Sequence, residues 1–104
     1  MEENNNNPQL TLHTTIRFNS KNQFVGGSFC DYEFIATVND EKSKNCINGG
    51  RVIELKVWQS KDSNDEEQKI AYYNGIWNLQ AENPKERDAC SRIIDILEQI
   101  PTEW

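Results

Sequence analysis

Polar and apolar residues alternate along most of this chain, and the period changes only near its end. From Gln9 to Phe18, Leu10, Leu12, Thr14, Ile16 and Phe18 fall on one face, with Thr11, His13, Thr15 and Arg17 opposite. That is the period-two pattern of a half-buried strand. A second alternating stretch starts near Phe24 and runs to Asn39, with Cys30, Tyr32, Phe34, Ala36 and Val38 in phase. Gly26-Gly27 interrupts it and reads as a bulge or bend. Phe29 and Ile35 fall on its polar side, so that face is expected to be partly covered. The clearest strand spans residues 51–60, where Ile53, Leu55 and Val57 oppose Glu54 and Lys56. The Asn45–Gly50 turn before it ends in a glycine pair, which adopts backbone angles that are costly for residues with a Cβ. Gln68–Tyr73 reads as a fourth strand, with Ile70 and Tyr72 on one face. After Asn74-Gly75, residues 76–79 either continue that strand past a bulge or begin a short return strand.

The period then becomes helical. Asn83 is placed to cap, Pro84 takes the first helical position and Glu86 the third. Ala89, Cys90, Ile93, Ile94, Leu97 and Ile100 form one apolar stripe, and Pro101 is a stop. Strands followed by one helix, joined by short connections, predict an α+β fold: a four-stranded antiparallel β-meander with one C-terminal α-helix packed on one face. Residues 9–104 are expected to form this single domain. Residues 1–8, an Asn-rich run ended by Pro8, are expected to be a disordered tail.

Composition narrows the function. The chain has 104 residues, 36% of them hydrophobic, with 17 acidic against 11 basic residues, a net charge of −6. An acidic chain is poorly suited to neutralising phosphates, so direct binding to nucleic acid or to an anionic membrane is not expected. A basic protein partner suits it, because complementary potentials speed association. No apolar run approaches the ~20 residues of a membrane span. The start of the chain is acidic and polar where a signal peptide would be basic and then apolar, so a cytoplasmic location is expected. Cys30, Cys46 and Cys90 are odd in number and far apart, without the close pairs of zinc sites; reduced structural thiols follow.

Catalytic chemistry finds little support. His13 is the single histidine, and no nucleophile motif accompanies it. Residues 62–67 are acidic but lack the glycine of a calcium loop. Ile47–Arg51 resembles an anion-cradling loop, yet a strand follows it where phosphate loops have a helix. No enzyme activity, cofactor or metal is expected. The aromatics point instead to binding. Trp58 lies among charged residues, and Tyr72, Tyr73 and Trp77 cluster around Asn74-Gly75. They are either interface anchors or side chains covered by the helix or the tail.

Two segments, Ile47-Asn48-Gly49-Gly50-Arg51-Val52 and Tyr72-Tyr73-Asn74-Gly75-Ile76-Trp77, resemble a family of small uncharacterised proteins from low-GC Gram-positive bacteria, their phages and mobile elements. That family carries a Gly-Ile-Asn-x-Gly-Arg-Ile turn, a Tyr-x-x-Gly-Trp segment and an acidic C-terminal helix. Cys46 stands where its glycine would be, and Ile76 intrudes before Trp77. The resemblance covers roughly residues 28–100 and implies a sheet-plus-helix domain with a phage or mobile-element accessory role. The expected function is inhibition of a host defence nuclease by occupying its basic nucleic-acid-binding surface, in the manner of an anti-CRISPR protein. The expected contact residues are Trp58, Asp62, Asp65, Glu66, Glu67, Tyr73 and Trp77. The alternatives are a module that self-associates through a free sheet edge, and a protein that sequesters a nucleotide or small ligand at Asn48–Arg51.

Overall fold

The structure is a computed structural model that describes residues 10–17, 21–59 and 69–100. Among them six strands form one antiparallel sheet in chain order: β1 (Leu10–Arg17), β2 (Asn22–Phe29), β3 (Tyr32–Asn39), β4 (Val52–Gln59), β5 (Lys69–Tyr73) and β6 (Trp77–Leu79). A 3₁₀ turn at Ile47–Gly49 precedes β4, and α1 (Pro84–Glu98) closes the fold. The tail at residues 1–8 and the helix stop at Pro101 lie outside the described residues.

The sheet has six strands, not the four expected from the sequence. The stretch read as one strand from Phe24 to Asn39 is a hairpin, in which Phe29 pairs with Tyr32 across a two-residue turn. Cys30, first of the two turn residues, sits at φ 56°, a conformation normally left to Gly or Asn. It is therefore exposed at a turn and not part of an apolar face. The second added strand is β6, a short return strand that resolves the ambiguity at Asn74-Gly75, with Gly75 at φ 96°.

One face of the sheet carries the core. Val25, Phe29, Tyr32, Phe34, Ala36, Val38, Val52, Leu55, Val57, Ala71 and Tyr73 are buried against Ala89, Cys90, Ile93 and Leu97 of α1. The helix begins as its sequence requires, for the Asn83 side chain accepts the Glu86 N–H at 2.8 Å and Pro84 occupies the first turn. Residues on the opposite, outer face take no part in this cluster, and α1 does not cover them.

Four register shifts interrupt the ladders among the described strands; one makes Ile70 an extra residue of β5 that packs against the core, apart from Tyr72 on the outer face. Leu12 pairs with Gly27 but Thr14 with Gly26, so His13 is an extra residue in β1. Leu10 and Leu12 consequently share the helix side of the sheet, whereas Thr14 and Ile16 lie on the outer face. Similarly, Val38 pairs with Val52 and Thr37 with Glu54. Ile53 is bulged out, and Val52 replaces it in the core. The glycine pair is not itself a bulge, because β2 pairs continuously with β3 from Asn22 to Phe29. Gly27 faces the bulge in β1; a Cβ there would collide with the Thr11 carbonyl and lie 3.1 Å from the Phe34 ring.

Candidate functional site

The two faces of the sheet divide the aromatic residues expected to act together. Tyr73 is 6% exposed and its hydroxyl donates to the Asn45 carbonyl at 2.6 Å. Trp77 stands edge-on to it, with ring centroids 5.1 Å apart, and packs against the core. Both belong to the helix side. Trp58 lies on the outer face, where Glu33 pairs with it across β3 and β4. Asp62, Asp65, Glu66 and Glu67 lie outside the described residues, in the connection between Gln59 and Lys69.

Around Trp58, the outer face mixes apolar and charged groups. Its rows run Ser28–Glu33–Trp58–Lys69, Gly26–Ile35–Lys56–Tyr72 and Phe24–Thr37–Glu54. The ammonium groups of Lys56 and Lys69 lie 5.4 and 5.9 Å from the Tyr72 ring centre, within cation–π range. Phe24, Glu33 and Ile35 are not singled out as candidates by the sequence, and the off-phase Ile35 is their only local signal. Tyr72, grouped there with Tyr73 and Trp77, lies on the opposite face of the sheet from Tyr73.

Nothing at His13 amounts to catalytic machinery. Its Nε2 lies 3.4 Å from the Ser28 hydroxyl, and among the described residues no acid orients the imidazole. Two of the three thiols are buried. Burial, then Glu86, pushes Cys90 up to about 11, and burial likewise raises Cys46. Neither is a thiolate nucleophile near neutrality. No cluster of His, Cys, Asp and Glu suited to a metal occurs among the described residues.

The Asn/Gly turn does cradle an anion, and that anion is the chain's own Glu98. The carboxylate accepts the Arg51 N–H at 2.9 and 2.7 Å and the Val52 N–H at 3.2 Å. Arg51 returns the contact through Nη1 to the Glu98 carbonyl at 2.8 Å, while its Nε donates to the Asn39 carbonyl at 2.9 Å. Positive φ at Asn48 and Gly49 turns the chain into this geometry. The amides that would have held a nucleotide phosphate are thereby already engaged.

Charge is distributed unevenly. Seven of the 17 acidic and one of the 11 basic residues lie outside the described residues, leaving ten of each within them. The whole net charge of −6 therefore resides in the flanking and connecting segments. Leu10 pairs with Phe29, Tyr32 with Gln59 and Trp58 with Lys69, so the start of β1, the Cys30-Asp31 turn, the end of β4 and the start of β5 share one end of the sheet. Asp31, Glu33 and Lys69 are at this end. Arg17, Lys21, Lys42, Lys44 and Arg51 gather at the other, against Asp40, Glu41 and Glu98. There Arg17 grips Asp40 with two 2.9 Å hydrogen bonds, which hold its carboxyl below the usual range.

Fold and surface thus define a small sheet-plus-helix domain with one uncovered, mixed face. The chain belongs to the family described as a domain of unknown function, DUF7678, which matches residues 23–98. No curated protein and no solved structure matches the chain. None of the helices among the described residues is long and apolar enough to cross a membrane.

Proposed function

We propose that this protein is a binding protein, not an enzyme, that occupies the basic nucleic-acid-binding surface of a protein partner. The observation that carries this reading is that Trp58, Asp31 and Glu33 share the end of a charge-balanced body at which β4 closes, and that the sequence following β4 is the acidic run Asp62–Glu67. Such an arrangement gives long-range steering from the acidic run and a half-buried aromatic anchor in Trp58. The partner is a nucleic-acid-handling effector in the cytoplasm. The finer reading is a phage or mobile-element accessory protein that inhibits a host defence nuclease.

A nuclease-treated pull-down from a defence-bearing Gram-positive lysate tests it, read by mass spectrometry at low and high salt. A nucleic-acid-handling effector should be recovered at low salt, released at high salt, and lost when Asp62, Asp65, Glu66 and Glu67 are all changed to Lys. Recovery unaffected by both salt and charge reversal would refute the reading. A second reading is favoured by β1, an edge strand whose Leu12 and Ile16 are 41% and 55% exposed. That edge offers backbone for pairing with a second copy. Sedimentation of the chain alone separates the two, since a stable dimer with no partner present favours self-association.

A further inference from the structure

The glycine pair contains one residue that the fold demands and one that it does not. Gly27 faces a colliding carbonyl. Gly26, in the middle of a paired strand, has no positive φ, and a Cβ there would meet its neighbours at 3.6–3.8 Å, ordinary contact. Glycine in a strand interior weakens it and often marks a place where something else approaches. What Gly26 leaves on the outer face is a hollow of about 160 Å³, walled by His13, Phe24, Glu33, Ile35 and Trp58. That is well below the ~300 Å³ at which small-molecule sites begin. It has room for one side chain.

Charge selects which one. Glu33 has no hydrogen bond or ion pair among the described residues. Lys56, on β4, lies over the Tyr72 ring. Lys69, beside Trp58, likewise lies over the Tyr72 ring. The hollow therefore presents one carboxylate without a hydrogen-bond or ion-pair partner among the described residues, beside an indole, phenyl, imidazole and isoleucine lining. A planar cation with an apolar stem fits these walls, and guanidinium both stacks on an aromatic side chain and pairs with a carboxylate in a fork. We propose that this hollow is a socket for one arginine side chain of the protein partner, its guanidinium meeting Glu33 beside Trp58. The socket rests on the binding function proposed above and supplies the specific anchor that the acidic segments, which steer, do not.

The socket is tested apart from any partner by titrating the full chain with N-acetyl-arginine amide, following amide and indole N–H resonances. Saturable shifts centred on Gly26, Glu33 and the Trp58 indole are expected, with at least threefold weaker binding of N-acetyl-lysine amide. Binding should weaken at least tenfold in Glu33→Gln and in Gly26→Ala, which keeps the fold because its Cβ meets only ordinary contacts. Shifts that are linear in ligand, scattered over all carboxylates, or unchanged in Glu33→Gln would overturn the socket. So would a partner captured in the pull-down and bound equally well by Glu33→Gln and wild type. A saturable arginine response alongside an unsupported pull-down would leave the socket standing and refute the inhibitor reading alone.

Discussion

Removing the Glu98 carboxylate should destabilise the fold by an amount that the structure lets us work out, and Gly50 supplies the control. The carboxylate accepts from two backbone N–H groups at the start of β4, Arg51 and Val52. A hydrogen bond to a charged group contributes roughly 1.5–3 kcal/mol, and an N–H left unpaired costs about 1–3 kcal/mol when buried. The site is only part-buried, so water offsets some of this, and Glu98→Ala should cost about 3 kcal/mol. For a domain of this length that lowers Tm by roughly 12–24 °C. Glu98→Gln keeps one acceptor and should lose about half as much.

The three atoms nearest to a Cβ at position 50 all belong to the Glu98 carboxylate, and that Cβ would overlap Oε2. Gly50→Ala must therefore displace the carboxylate from its amides, and its cost is bounded by that of losing the clamp. Once Glu98 is alanine the obstruction is gone. The double variant should then be about as stable as Glu98→Ala alone, with a coupling of about 1–3 kcal/mol. Urea unfolding followed by circular dichroism measures all four corners of this cycle. Additive costs, or a Glu98→Ala loss below about 0.5 kcal/mol, the size of an ordinary surface substitution, would refute the clamp.

The paired glycines of β2 should respond oppositely: Gly27→Ala should cost about 2–3 kcal/mol through its backbone collision, whereas Gly26→Ala should be neutral or gain ~0.5–1 kcal/mol; the same urea series reads both. Asn83→Ala removes the cap on Glu86 and should cost about 1 kcal/mol. The Cys90 thiol ionises near 9.0 when free and at about 11 in the fold. Between those values the unfolded chain holds fewer protons, so stability is fully retained below about pH 9 and falls as pH rises through the window to about 11. Denaturation midpoints between pH 8 and 11 should show a steeper decline in the wild type than in Cys90→Ala.

What could be read from sequence was local, and what could not was a relation between distant residues. The helix was legible from Asn83, Pro84 and the apolar stripe because capping and a 3.6-residue period act within a few positions. The β2–β3 hairpin was written in the sequence but not in its turn residues. Inward residues are odd-numbered through Phe29 and even-numbered from Tyr32, a phase reversal that two intervening residues produce. Without Gly or Asn at the turn, the off-phase Phe29 points equally to a covered polar face. The bulges at His13 and Ile53 left no such trace, since partner strands decide where an extra residue is accommodated. Ile47–Arg51 resembles an anion-cradling loop, though the strand after it favours a plain turn; its amides do hold an anion, whose residue lies 47 positions beyond Arg51.

The separation of charge from structure follows from the same locality. A strand must place alternate residues against a core, so β2, β3 and β4 can spare few positions for uncompensated acid. Connections carry no such constraint, and the acidic excess lies there and at the chain ends. An up-and-down sheet sends alternate connections to opposite ends, and the start of β1 and the β4–β5 connection join the sheet at the same end. The basic residues of the 40–51 loop and of the β1–β2 end fall on the other by the same rule. The acidic excess therefore needs no folded acidic element and tolerates sequence change within the connection. Only Glu33 and Trp58 must be held in place by strands. An intermolecular contact built this way would be steered by replaceable acids and fixed by two positioned side chains. Single substitutions in residues 62–67 should accordingly slow association slightly, whereas Glu33→Gln or Trp58→Ala should chiefly speed dissociation.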